Sequence, residues 1–337
     1  VLRGKKNATT AIVAGGVAAL AGVGAVLRFT PRPSAMLIRS VFEEGAKSTA
    51  ATMWPDAPAD VIRIREGIPG HRGAPDTIAD VYRPAGVDGP LPTVVWIHGG
   101  AWISGDRGQV EPYLRMIAAR GYTVVGLDYA LGPESVYPTA PKQLLLALEH
   151  LRKYAGRLGI ARDRLALAGD SAGAQLASQL ATVVTNPSYA RASGLPTKLP
   201  TDAIRAVVLH CGIYDLKTMS KSSGLGQWGF QVALWSYTGR KNWSKTLAGD
   251  HMSTIDHVTP RFPPTFISGG NADPLTEPQS RPFAAHLASL GVPVTALFYP
   301  DDHGDELPHE YQFHWYLTDA HVALEKTLAF LTSTMTR

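Results

Sequence analysis

The chain has 337 residues, 45% of them hydrophobic and 18% charged, which is enough apolar material for one large α/β domain or two ordinary ones. Its formal net charge of +4 does not mark a nucleic-acid binder: Arg3, Lys5, Lys6, Arg28, Arg32 and Arg39 all precede the first acidic residue, Glu43, and setting them aside leaves 26 basic against 28 acidic residues, a net of −2. A single cysteine, Cys211, excludes an internal disulfide and a Cys-rich zinc module, and it reads as a small buried hydrophobe.

In chain order, the first feature is the uncharged run AIVAGGVAALAGVGAVL at 11–27, with small or apolar residues back to Ala8. About twenty such residues span a bilayer core as a helix, and Ala19-Leu20-Ala21 also fits a signal-peptide cleavage site. Residues 1–32 are therefore expected to be a membrane anchor or export signal, with the body outside the cytoplasm; a buried soluble helix is the alternative, disfavoured by the glycine content. Residues 33–60 read as a connector with a helical piece. A single domain is expected over 61–337.

That domain alternates. VIRIRE (61–66) and DVYRP (80–84) predict an antiparallel pair, and TVVWIHG (93–99) a buried strand. A helix around 110–120 leads to the strand TVVGLDY (123–129), and apolar residues at helical spacing follow over 140–155. RLALAGD (164–170) is a strand and AGAQLASQLATVV (172–184) a helix, while AIRAVVLHCG (203–212), PPTFISGG (263–270) and VPVTALFYP (292–300) supply three more strands before a final helix at 321–331. The fold class is α/β, with a mostly parallel central sheet covered by helices on both faces and its ligand at the carboxyl ends of the strands. The segment 213–262 interrupts the rhythm and reads as a small cap insertion. Its Trp228, Phe230, Trp235, Tyr237 and Trp243 either line an acyl pocket or form the insert's own core.

Gly169-Asp170-Ser171-Ala172-Gly173 sits between a strand and a helix. Glycines on either side of a serine suit a sharp, crowded turn that exposes a nucleophile, with a helix N-terminus behind it to favour negative charge. His98-Gly99-Gly100-Ala101-Trp102 ends the strand at 93–97. The N–H groups of Gly99 and Gly100, with that of Ala172, make a candidate oxyanion hole, and His98 is expected to brace the loop.

HGGAW, DYALGPESVYP (128–138), GDSAG and NADPL (271–275) stand in the order found in the hormone-sensitive-lipase-like branch of the α/β-hydrolases, which the chain resembles over roughly residues 75–330. The resemblance implies the α/β-hydrolase fold, a Ser-Asp-His triad, a cap over the sheet and carboxylesterase or lipase activity. One departure is Ala101, where the family often has a third glycine. Activity on bulky tertiary-alcohol esters, which goes with that glycine, is therefore not carried over.

Asp273, on the tight turn after the strand at 263–270, is the candidate acid, with Pro274 expected to start the next helix; the chain order Ser171, Asp273, histidine suits the triad roles. For the base, two histidines compete in DDHGDELPHEYQFHW (301–315). His303-Gly304 resembles the family's His-Gly pair after Tyr-Pro, whereas His309 has an aromatic two residues on, as the family does, and stands closer to the final helix. His309 is favoured, His303 remains the alternative, and His314 reads as a packing residue. A metal site is not expected, because His309 and His314 are five apart rather than the four of a zinc-binding His-Glu-x-x-His helix. The expected activity is cofactor-free hydrolysis of small-molecule or lipid esters with short to medium acyl chains, through an acyl-enzyme. An amide hydrolase of arylformamidase or peptidase type, and a silent hydrolase-fold binding protein, are the alternatives.

Overall fold

The structure is a computed structural model that describes residues 28–71, 73–219 and 225–335. Most of the expected leader, 1–32, lies outside the described residues; among those described, no helix is long and apolar enough to cross a membrane.

Eight strands build one sheet: β1 Val61–Ile68, β2 Thr77–Pro84, β3 Leu91–Ile97, β4 Thr123–Leu127, β5 Ile160–Asp170, β6 Ile204–His210, β7 Thr265–Gly269 and β8 Val294–Phe298, in the order β1-β2-β4-β3-β5-β6-β7-β8. The pairs β1–β2 and β2–β4 are antiparallel and the rest are parallel. Each run of alternating or β-branched residues in the sequence became a strand, because the buried ones present apolar side chains to both faces. Val95, Ile97, Leu165, Leu167, Val207, Leu209 and Ile267 point to one core, while their neighbours Val94, Trp96, Ala166, Ala168, Val208 and Phe266 point to the other.

The helices that shape the site are α1 Arg32–Met53, α2 Glu111–Ala118, α3 Thr139–Lys153, α4 Ala172–Thr185, α5 Leu225–Thr238, α6 Arg281–Ser289 and α7 Thr318–Met335. Helices α3, α4 and α6 cover the first face, and α2 and α7 the second. All fourteen residues of α4 are buried, so the helix runs through the centre of the molecule rather than along its surface. Its polar side chains are paired. Gln175 accepts from Trp102 Nε1 at 3.1 Å and donates to Met252 O at 3.1 Å, while Gln179 donates to the Tyr137 and Tyr189 hydroxyls.

Two segments differ from the reading of the sequence. The stretch 33–60 is not a mere connector: α1 lies over the carboxyl ends of the strands, packing Ala35 and Ile38 against Val232 and Ala233 of α5 and against Ile103. Arg39 pins it there, donating from Nε to Ile103 O, from Nη2 to Gly132 O at 2.8 Å and to Glu134 at 2.7 Å. After β7, Pro274 does not open a helix. The Asp273 carboxylate accepts from Leu275 N–H at 2.9 Å, closing a side-chain turn, and a π-helical turn at Thr276–Ser280 precedes α6.

Candidate active site

Ser171 occupies the turn between β5 and α4 with φ 50° and ψ −116°. This conformation is costly for a side-chain-bearing residue, and the glycines around it explain how it is held. A Cβ on Gly173 would lie 2.0 Å from Ile97 O, and one on Gly169 would lie 2.5 Å from Gly173 C. Only bare backbone lets β3, β5 and α4 converge so closely, and that convergence lifts the serine into the cleft.

His309 is the histidine that meets it. Its Nε2 stands 2.9 Å from Ser171 Oγ, and its Nδ1 donates to Asp273 Oδ1 at 3.1 Å. His303 is elsewhere, its Nε2 bonded to Asp319 Oδ2 at 2.8 Å and its ring against Tyr299. The few extra loop residues after β8 carry the chain past His303 before it turns back over the strand ends, which is why counting from the strand points to an imidazole that does not meet Ser171. His314 lines the cleft and bonds Tyr316 through Nδ1 at 3.1 Å. His98 braces the loop as expected, with Nδ1 donating to Gly99 O at 2.8 Å and its ring stacked 4.4 Å from Tyr129; burial holds its pKa down, so it stays neutral.

Burial by itself would lower the His309 pKa, but the charge and hydrogen bond of Asp273, with Glu310 and Asp170 adding, outweigh it and push the pKa up to about 9. A base must be neutral to accept a proton. If His309 is that base, kcat/KM climbs with pH to a plateau beyond about 9. A profile already flat from pH 7 upward would contradict this.

The oxyanion assignment needs one correction. Gly99 N–H is already used: it donates to Asp170 Oδ2 at 2.7 Å, and the other oxygen of Asp170 accepts from Trp96 Nε1 at 2.7 Å. The next residues, Gly100, Ala101 and Trp102, turn with φ 100°, 52° and 60°, and the turn is closed by Ile103 and Ser104 N–H bonded back to Gly100 O. Gly100 and Ala101 line the cleft with Ser171, which makes their N–H groups the candidate donors of this loop in place of Gly99. Ala172 remains a candidate donor at the start of α4.

The cleft holds about 400 Å³. Its apolar wall comes mainly from α1, through Val41, Phe42, Ala46 and Met53, with Phe230 and Phe313 opposite. Of the seven aromatics in 213–262, Phe230 alone reaches this wall. Tyr237 stacks on Trp102 at 5.6 Å, Trp243 is buried with Nε1 on Gln231, Trp235 lies beneath the Lys241 ammonium, and Trp228 is exposed. The insert's aromatics thus serve mainly to pack it on the main core, and the helix before the domain supplies much of the cleft wall.

Three side chains here could in principle hold a metal, since Cys211, Asp273 and His309 offer ligand atoms within 4.8 Å of one another. They fit a metal poorly. Asp273 and His309 are bonded to each other, and burial with the nearby Asp273 charge keeps the Cys211 thiol protonated.

Asp170 and Glu310 escaped the reading of the sequence. Asp170 lay inside the glycine-serine motif and Glu310 beside the favoured histidine, so adjacency was the only signal. The apolar positions 38, 42, 46, 50 and 53 carried a helical period that could have flagged α1.

A nucleophile elbow, an imidazole bonded to both its serine and a carboxylate, and a donor loop at the carboxyl ends of a mostly parallel sheet define the α/β-hydrolase fold with serine-hydrolase geometry. The chain belongs to the BD-FAE family, whose model matches residues 79–287. It is similar to the carboxylesterase NlhH of Mycobacterium tuberculosis, 37% identical over 121 residues; the match covers 36% of this chain and 38% of that enzyme, so this chain spans little more than a third of that relative. Among solved structures it is similar to an esterase of Pyrobaculum calidifontis, 25% identical over 89% of this chain and 93% of the other with a TM-score of 0.71. It also resembles esterase B of Lactobacillus rhamnosis, 23% identical over 90% and 96% with a TM-score of 0.73, a likeness of fold.

Proposed function

We propose that this protein is a serine carboxylesterase acting on esters with short to medium acyl chains. The observation that carries the reading is His309, bonded at once to Ser171 Oγ and to Asp273 on the floor of an apolar cleft. The names of the M. tuberculosis and P. calidifontis relatives point the same way.

In the mechanism this supports, His309 Nε2 takes the Ser171 proton as Oγ attacks the ester carbonyl, and Asp273 stabilises the imidazolium that forms. Gly100, Ala101 and Ala172 N–H groups receive the oxyanion. A removed donor of this type typically costs about 3 kcal/mol of transition-state stabilisation. The imidazolium returns its proton to the departing alcohol, and water repeats the cycle on the acyl-enzyme. The cleft of about 400 Å³ between α1 and Phe313 would take the acyl chain and exclude water. The apolar leader adds a membrane-anchored or exported setting to this reading, with the catalytic body outside the cytoplasm.

The test is to incubate the protein with p-nitrophenyl butyrate and a fluorophosphonate probe. Labelling at Ser171 with ester turnover is the expected result, and Ser171→Ala abolishes both. Labelling with turnover of amides only would make the protein an amide hydrolase on the same triad. No labelling and no turnover would leave a binding protein of hydrolase fold.

A further inference from the structure

We infer that the cleft selects esters whose alcohol part carries an alkylammonium group, and that the Glu310 carboxylate receives it. This rests on Ser171 and His309 being nucleophile and base.

The first ground is the charge inventory of the cleft. Among its described lining residues there is no lysine or arginine, and the acidic ones are Asp170 and Glu310. The remaining titratable groups are imidazoles. His98 and His314 are held toward the neutral form by burial, and His309 is engaged with Ser171 and Asp273. While His309 is neutral, as a base must be, a carboxylate stands in this apolar enclosure with no cation to answer it, an arrangement a cationic ligand would relieve.

Position is the second ground. Glu310 follows the base directly and has φ 59°, a left-handed backbone that turns its side chain back into the cleft. Its Oε1 lies 3.8 Å from His309 Nε2, on the side from which that nitrogen hands a proton to the leaving alcohol. A substituent a bond or two beyond the alcohol oxygen therefore comes to rest against this carboxylate.

The packing shows that the place is made for the acid. A Cβ on Gly99 would lie 2.7 Å from Glu310 Oε1 and 2.3 Å from Asp170 Oδ2, so the absent side chain of Gly99 is what allows the two carboxyl groups to meet. Asp170 is buried and takes up a proton well above the usual carboxylate range, first because of that burial and then because of the Glu310 charge beside it. Glu310 is the less buried of the two, its side chain 30% exposed. Phe42, Phe230 and Phe313 line the same cleft, and aromatic faces attract methylated ammonium groups.

The experiment compares kcat/KM for butyrylcholine and for 3,3-dimethylbutyl butyrate, in which carbon replaces the charged nitrogen. Wild type is expected to favour the cationic ester by about tenfold, and Glu310→Gln to bring the ratio to within about twofold of one, chiefly through KM. An unchanged ratio in the variant would overturn the inference. Should Glu310→Gln fail to fold, wild type still decides: tetramethylammonium should compete with the neutral ester while tert-butanol at equal concentration does not, and equal weak inhibition by both would overturn it. Wild type that turns over the neutral ester without preferring the cation sinks this inference alone. Failure on both esters, with no fluorophosphonate labelling of Ser171, sinks the esterase reading beneath it.

Discussion

His309→Ala should lower kcat/KM on p-nitrophenyl butyrate by about 10⁴-fold or more, the range seen when one member of a working triad is removed. The variant keeps Ser171 in its strained turn but leaves Oγ with no acceptor 2.9 Å away, so attack would need the hydroxyl proton to leave to water. His303→Ala is the companion measurement. It deletes a bond to Asp319 at the start of α7, a partly exposed pair of small energetic worth, and should leave turnover within about threefold of wild type. If the two variants exchanged these outcomes, the assignment of the base would be wrong despite the distances.

Gly173→Ala should be strongly damaging to both stability and turnover. Its Cβ would lie 2.0 Å from Ile97 O and 2.6 Å from His98 O, both backbone atoms at the end of β3, and neither can rotate away. The strand end and the start of α4 must part, at a cost of about 3 kcal/mol of stability, the upper end for overpacking a core. That movement also carries the His98–Ala101 loop away from Ser171. A misplacement of about 1 Å in such a site costs roughly 100-fold in rate. Gly156→Ala is the control, because a Cβ there meets nothing within 4 Å, and it should melt and turn over as the wild type does. A thermal melt beside the esterase assay checks both. A Gly173→Ala protein with unaltered melting temperature would show that the elbow has slack the distances deny.

Much of the fold was legible because local composition decided it. Runs such as TVVWIHG and RLALAGD have no polar face to offer water, so they enter the middle of a sheet wherever the chain carries them. Ser171 was legible for a related reason, since glycines bracketing a serine between a strand and a helix state a steric need. The role of α1 was hidden. An amphipathic helix shows that it covers something apolar without naming it, and in Val41, Phe42 and Met53 that face proved to be a wall of the cleft. Of the two roles left open for the aromatics of 213–262, packing took most of them: Tyr237 packs on Trp102 and Tyr137 outside the insert, and Trp243 is buried in the main core.

The Gly99 error has a sharper cause. A pair of glycines after His98 announces free backbone donors, but which of them faces the substrate depends on the one that another side chain has claimed. Asp170, seventy-one positions later, claims Gly99.

From the sequence alone came the α/β order of elements, the candidate nucleophile, the candidate carboxylate at 273 and a choice between two histidines, because each depends on residue type and immediate neighbours. The tertiary structure alone decided that His309 rather than His303 reaches Ser171, that Asp170 takes the Gly99 N–H, and that α1 walls the cleft. These three are relations between segments remote in the chain, and only the packing of the sheet and its helices brings such segments within the 3 Å or so over which a hydrogen bond acts.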